Sequence, residues 1–369
     1  MRYLPKLIRR MALESVTQPL SNPVASNASA YLAEVGERKL GWRAFRRELV
    51  YRLSGQERYR IDRLREGHRR GLWMYFGVPQ IGDALMDLAP RSQFAEAGVE
   101  VDLLTHTPLT GLFRGDPWFA NVLEDTSGVR DANYDFVIVP SHKHRSLKMK
   151  QRHLPRHPWF SVHERFTGPE FNRAEFAARR LADFLNLAPA RVAIDWHARQ
   201  KLRDNDHSQL GAQVPPLSPD AIAIALGGVR AERTYSHWPD VVRELTLAGF
   251  DDFVLLGSEN GMAAAREILA HADSSTRIHN RVGRTSLSEC RELLSRCALA
   301  IAADGGLMHL AIAAGRPVVS LFQREIVPQW RLPSSEIERA IQSDTPDVSD
   351  IPPHRIVNVA QRSLIRRAS

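Results

Sequence analysis

Short apolar runs alternate with helix-period segments through most of this 369-residue chain, and that alternation limits its folds more than any other feature. In the C-terminal half, AIAIALGG (221–228), DFVLLGS (252–258), LAIAAD (299–304) and RPVVSLFQ (316–323) have the length and composition of strands buried on both faces. Between them, PDVVRELTLAG (239–249), MAAAREILAHA (262–272), SLSECRELLSRC (286–297) and LMHLAIAAG (307–315) read as helices. The same order runs through GLWMYFGV (71–78), a helical segment from Asp83 to Ala97, VEVDLLTH (99–106) and YDFVIVPS (134–141). Such an order builds parallel sheets covered by helices. A polar, proline-containing stretch at 198–219 parts the two series, so two α/β domains with a cleft between them are expected. Ligands of open α/β sheets bind outside the carboxyl ends of the strands. The residues just after each apolar run therefore carry the functional argument.

Residues 1–70 differ in kind. Leu4, Leu7, Ile8 and Met11 recur at helical spacing among Lys6, Arg9 and Arg10, a Ser/Asn/Pro/Ala-rich stretch follows, and the segment from Tyr31 to Arg70 is helix-rich and basic. The net charge of +8 is concentrated there: residues 39–70 hold Lys39, Arg43, Arg46, Arg47, Arg52, Arg58 and further arginines against few acids. A basic face can serve nucleic acid, anionic lipid or a phosphorylated substrate, and is more often simply solvated. No zinc-finger spacing, RNP-like aromatic strand or helix-turn-helix signature accompanies it, so nucleic acid is not an expected partner. No apolar run is long enough to span a bilayer, and the N-terminus lacks the apolar core of a secretory signal, so a cytoplasmic location is expected. Cys290 and Cys297 fall seven apart in one helical pattern and are expected to be buried and unbridged.

Three strand ends carry chemistry. In AIAADGGLMHLAIAAGRPVVSLF (300–322) a strand stops at Asp304, Gly305 and Gly306 follow, and a helix opens with Leu307 and Met308 in its first turn. The glycines let the backbone approach a ligand and take positive φ where that is needed, and the helix N-terminus offers free N–H groups and a positive dipole end to a diphosphate. His309, in the first turn, can donate to phosphate. In ALGGVRAERTYSHWPD (225–240), Gly227 opens a loop that carries Arg230, Arg233 and Ser236. In GVPQIGDALMDLAP (77–90), Asp83 follows a strand and also suits a helix cap.

The run at 300–322 closely resembles the D-T/S-G-x-x-H-L-A-x-A-x-x-x-P-x-x-x-L-[FY] segment of glycosyltransferase family nine, the bacterial ADP-heptose heptosyltransferases. Asp304, Gly306, His309, Leu310, Ala311, Ala313, Pro317, Leu321 and Phe322 match it, while Gly305 stands where the family has Thr or Ser. The loop at 225–240 resembles the family's phosphate loop, which has a Lys just before a Trp-Pro pair. Trp238 and Pro239 are present, but Ser236 or His237 occupies the Lys position, so Arg230 or Arg233 is the implied substitute on the donor diphosphate. Asp83 matches a family Gly-Asp, which implies a general base facing the cleft. Glu259, after the strand at 252–258, matches a family acid implied to bind the donor ribose or base. The segment at 285–297 resembles the helix under the nucleotide. The resemblance covers roughly residues 72–360 and leaves out the first 70.

The resemblance implies a GT-B fold: two facing Rossmann-like domains with a basic helical extension. The expected divisions are 1–70 for the extension, 71–205 for an acceptor domain and 206–369 for a nucleotide-sugar donor domain. The implied reaction is inverting transfer of a heptose or similar sugar from an ADP-sugar, ADP-heptose foremost, to a lipopolysaccharide core or related glycolipid or glycan acceptor. No metal and no cofactor are expected. The acceptor implies a peripheral position on the anionic inner-membrane surface, which the basic extension would suit, and the active site is expected to assemble without that extension. Two other readings stay open: a same-family transferase with another nucleotide-sugar or a protein acceptor, and a non-catalytic, family-derived binding protein, which the missing phosphate-loop Lys would favour.

Overall fold

The computed structural model describes residues 4–17, 28–76, 80–130, 132–168, 170–188, 192–197 and 216–368. The chain divides into two compact units. One holds Met1–Pro79 and Met86–Asp195; the other holds Gln80–Leu85 and Trp196–Ser369. None of the described helices is long and apolar enough to cross a membrane.

The first unit is built on a parallel sheet of β1 (Arg70–Tyr75), β2 (Glu100–Thr105), β3 (Val122–Leu123), β4 (Phe136–Val139) and β5 (Trp159–Ser161), in the order β3-β2-β1-β4-β5. β1 and β2 are exposed only at their first residue, and β4 is buried throughout, as their unbroken apolar runs require. The connections are α4 (Ile81–Leu88), whose residues up to Leu85 are counted with the second unit, α5 (Gln93–Glu96), α6 (Thr107–Phe113), α7 (His144–His153) and α8 (Arg173–Leu185). The single helix expected from Asp83 to Ala97 is broken. Pro90 lacks the N–H that an α-helix needs there, and a 3-10 turn at Ala89–Ser92 separates α4 from α5.

The N-terminal helices α1 (Leu4–Val16), α2 (Ala28–Val35) and α3 (Glu37–Leu53) join this unit and do not form a separate extension. Ile8, Met11, Ala12 and Val16 turn the apolar stripe of α1 inward. α1 lies so close to α3 that a Cβ on Gly41 would sit 2.3 Å from the Ile8 carbonyl oxygen. Tyr51 at the end of α3 is 1% exposed and packs in one core with Leu72, Met74, Val137, Val139 and Trp159. Beyond it, Gln56 accepts from Trp159 Nε1 (2.8 Å) through its carbonyl and from Lys150 Nζ (2.6 Å) through its side chain. The expected independence of residues 1–70 is therefore not what the packing shows: the core of the sheet is closed by a side chain from α3.

His142 stacks on Tyr51 at 4.9 Å, and neither ring nitrogen has a protein partner among the described residues. Burial, helped by Arg60, Arg165 and Arg180, pushes its pKa down to about 3. The unfolded chain binds this proton near pH 6.5. Between those values the unfolded state holds more protons, so stability rises with pH across the window and is lost as pH falls below about 6.5. His142→Phe keeps the stacking and removes both the titration and the unsatisfied nitrogens. The variant is expected to gain about 1–3 kcal/mol at pH 7 and to lose less stability than the wild type between pH 7 and pH 5. Denaturant titrations at the two pH values check this; equal losses in both proteins would refute it.

The second unit is a six-stranded parallel sheet of β6 (Ile222–Ala225), β7 (Asp252–Leu256), β8 (Arg277–Asn280), β9 (Leu299–Ala303), β10 (Val318–Phe322) and β11 (Ala340–Gln342), ordered β11-β10-β9-β6-β7-β8. Its helices are α9 (Trp238–Leu247), α10 (Met262–His271), α11 (Leu287–Arg296), α12 (Gly306–Ala313) and α13 (Pro353–Ala368). α11 starts with a reciprocal cap between Ser286 and Glu289. Cys290 lies within α11 and Cys297 at its C-terminal cap; both are buried and unbridged. The cut between units falls at Asp195–Trp196, earlier than the expected 205/206, and residues 198–215 lie outside the described set.

Candidate functional site

Strand order fixes where the second unit can bind a ligand. β6, β7 and β8 run outward on one side, and β9, β10 and β11 on the other, so the topology switches between β6 and β9. The loops after those two strands carry most of the residues singled out in the sequence.

After β9, Asp304 is 7% exposed and α12 begins at Gly306. Gly305 has φ 179°, extended backbone open to any residue, and neither Gly305 nor Gly306 adopts positive φ. The freedom of positive φ that two glycines offer is not used here. A Cβ on Gly305 would approach only the Ala303 carbonyl, at 3.7 Å, so the Thr or Ser usual at this position would fit. Met308 is fully buried, which leaves only its backbone for a ligand, and Leu307 is half-buried.

After β6, Gly227 does need its glycine. Its φ is +83°, and a Cβ would lie 2.5 Å from Asn260 Oδ1 and 2.9 Å from the Gly261 nitrogen. Asn260, from the turn after β7, donates to the Gly228 carbonyl at 2.7 Å and so ties the β6 and β7 loops together. Glu259, beside it, is exposed at the carboxyl end of β7.

The two arginines of the β6 loop separate. Arg233 Nη1 lies 3.1 Å from Asp304 Oδ2, while Arg230 is exposed and pairs loosely with its neighbour Glu232, at 3.9 Å. Ser236 stays on the surface, its backbone N–H donating to Ser349 Oγ at 3.2 Å. Arg331 comes from a turn after β10 and places Nε 3.8 Å from Asp304 Oδ1. Asp304 therefore holds two guanidinium groups at the start of α12. Nothing in the spacing of the sequence marks Arg331 or Asn260; only the folded sheet brings them here.

His309 is 4% exposed. Burial, and then the positive charge of Arg331, pushes its pKa down to about 3, so at neutral pH the ring is uncharged and has one N–H to donate. The segment that lies against it is the start of α4. A Cβ on Gly82 would sit 2.4 Å from His309 Cδ2, and Ile81 is in contact range of Gly306. Asp83, half-buried in the first turn of α4, is thus carried by the six residues Gln80–Leu85 that belong to the second unit. The structure groups Asp83, Arg233, Asp304 and His309 in one unit and places Arg230 and Ser236 at its surface. Among the described residues no three His, Cys, Asp or Glu side chains cluster in a way that could hold a metal ion.

Comparison with known proteins agrees with this architecture. The model of "Glycosyltransferase family 9 (heptosyltransferase)" matches residues 169–350. Lipopolysaccharide heptosyltransferase 2 of Salmonella typhimurium is 32% identical over 108 residues, which span 29% of this chain and 30% of that protein. The solved family 9 glycosyltransferase of Veillonella parvula superposes with a TM-score of 0.66 at 14% identity, covering 82% of this chain and 99% of that one. ADP-heptose lipopolysaccharide heptosyltransferase II of E. coli gives 0.64 at 17% identity, with 81% and 100% covered. At those identities the likeness shows the fold, two parallel α/β units of the GT-B type. In sequence, residues 169–350 of this chain are similar to glycosyltransferase family 9.

Proposed function

We propose that the protein is an inverting glycosyltransferase that moves a heptose or similar sugar from an ADP-sugar to a lipopolysaccharide core or related glycan. The observation that carries this reading is the contact of the Ile81–Gly82 turn with α12 and His309, which brings the turn bearing Asp83 to a helix N-terminus flanked by arginines. In this reading the donor diphosphate lies against the backbone N–H groups at the start of α12 and takes the positive charge of Arg233, with Glu259 on the ribose or base. The acceptor oxygen attacks the anomeric carbon from the face opposite the diphosphate, and the bond from that carbon to the diphosphate oxygen breaks with its electron pair. Asp83 accepts the acceptor proton. Arg233 and the α12 dipole stabilise the charge that develops on the leaving diphosphate, without a metal ion in this scheme.

Peripheral contact with an anionic bilayer belongs to the same reading. Because the apolar stripe of α1 is used inside the first unit, such contact would be electrostatic and sensitive to salt.

Arg233→Ala and Asp304→Ala are each expected to weaken ADP binding roughly ten-fold or more, the weight of one charge-assisted hydrogen bond. In the first variant the charge is gone; in the second Arg233 and Arg331 lose their anchor. Calorimetric titration with ADP checks this, and unchanged affinity in both variants would move the donor away from α12. The exposed Ser236 at the phosphate-loop Lys position favours one rival, a binding protein without turnover. Full ADP affinity with no sugar transfer or hydrolysis from any of the ADP-, GDP- and UDP-sugars would establish that rival.

A further inference from the structure

The first unit has a switch point of its own. Its order β3-β2-β1-β4-β5 turns between β1 and β4. A cavity of about 170 Å³ lies beside the carboxyl end of β4, lined by Tyr31, Arg43 and Arg47 from α2 and α3, by Ser141 and Lys143 from the segment after β4, and by Arg173. A second opening of about 370 Å³ shares Arg47, Ser141 and Lys143 and runs to Phe76, just past β1, and to the first turn of α7.

Two of the positive charges around the cavity stand out. Arg43 and Arg47 have no carboxylate within 4 Å among the described residues, and burial, then the like charge of Arg43, pulls the Arg47 pKa down. Arg47 is half-buried beside the exposed Arg43, and holding two like charges together costs free energy that a bound anion would recover. The acid closest in chemistry to the cavity is already used. Asp87 accepts from Arg173 Nε (3.0 Å) and Nη2 (2.6 Å), from His163 Nε2 (2.8 Å) and from the Tyr75 hydroxyl (2.8 Å). Glu170 and Glu34 act on the Tyr31 hydroxyl, behind burial as its main influence. His163 donates to Asp87 and is kept neutral by burial, which leaves its buried Nδ1 as an acceptor without a protein donor among the described residues. The ten-residue helix α7, capped by Lys143, adds its N-terminal dipole.

We infer that this cavity is a binding site for a phosphomonoester, built jointly by the N-terminal helices and the β4 end of the first sheet. Two forked guanidinium groups, an ammonium and a helix N-terminus suit a dianion with three free oxygens better than a carboxylate with two. Ser141 supplies a hydroxyl, and His163 Nδ1 can accept from a hydroxyl of the group that carries the phosphate. The site lies wholly within the first unit, and Arg43, Arg47, Ser141 and Lys143 lie outside the 169–350 match to the family. It does not depend on the glycosyl-transfer reading.

The test uses the full chain, the double variant Arg43→Gln/Arg47→Gln, and Arg233→Ala as a control in the other unit. Inorganic phosphate and glycerol 3-phosphate are titrated by calorimetry at low salt, and vesicles of phosphatidylcholine with and without phosphatidate are co-sedimented. Circular dichroism of both variants, and unchanged ADP affinity of the double variant, confirm that they are folded; Arg47→Lys stands in if the double variant is not. One-to-one binding of either small phosphate, weakened at least ten-fold in the double variant and unchanged in Arg233→Ala, supports the site with a soluble source. Phosphatidate-dependent sedimentation lost in the double variant supports it with a lipid source. No saturable binding of any probe, or equal binding by wild type and double variant, overturns it.

Discussion

Asp83→Asn is expected to lower sugar transfer by roughly two to four orders of magnitude, the usual weight of a general base, while ADP affinity and the melting temperature stay at wild-type values. The amide keeps the size of the carboxylate and cannot take the acceptor proton. The close packing of this turn against α12 is made by Ile81 and Gly82, which the substitution leaves in place. A role as helix cap alone predicts near-normal turnover, with stability unchanged in either case, since Asn caps helices about as well as Asp. Single-turnover measurement on purified protein with a saturating ADP-sugar separates the two. Preserved turnover would reduce Asp83 to the first turn of α4 and leave the proposed mechanism without its base.

A chain truncated to begin at Glu66 is expected not to fold. It lacks Tyr51, which fills the core against Leu72, Val137 and Trp159, and it lacks the Gln56 groups that satisfy Trp159 Nε1 and Lys150 Nζ. Lys150 is fully buried, and burial alone pulls its pKa down to about 7, so without Gln56 its ammonium would be badly solvated. Tyr51→Ala by itself should cost about 3–5 kcal/mol, which corresponds to a fall in Tm of roughly 10 °C for a unit of this size. Differential scanning calorimetry of the point variant and solubility of the truncated chain test this together. A soluble truncated chain that melts cooperatively at the wild-type temperature would show that the N-terminal helices are an appendage after all.

The central strands were legible because each is an apolar run with no alternative use. Ile222–Ala225, Asp252–Leu256, Leu299–Ala303 and Val318–Phe322 all fall inside the runs read from the sequence. The edges were not. Arg277–Asn280 carries polar and charged side chains, and Val122–Leu123, Trp159–Ser161 and Ala340–Gln342 are two or three residues long, as sheet borders and neighbours often are. The site divided along the same line. Asp304, Gly306 and His309 sit in one continuous segment whose order of residue types is itself distinctive. Arg331 and the Asp87–His163–Arg173 group are assembled from distant loops by tertiary packing, and no local period records them. The basic run in α3 could be seen but not interpreted, because which of its arginines turn toward β4 depends on how α3 lies on the sheet.

The Gly82–His309 contact also bears on the order in which the protein is made. Its two ends are more than two hundred residues apart in the chain. All five strands of the first sheet have left the ribosome long before α12 exists, so that sheet can close while Gln80–Leu85 still has nothing to dock on. Contacts of such separation form late, because the intervening loop must be ordered first. The turn bearing Asp83 is then among the last pieces to be seated, and a nascent or C-terminally clipped chain would carry an ordered N-terminal sheet with its carboxylate still unplaced. Pulse-labelling hydrogen exchange during refolding would register this as protection of β1 and β4 amides well ahead of those at residues 81–84.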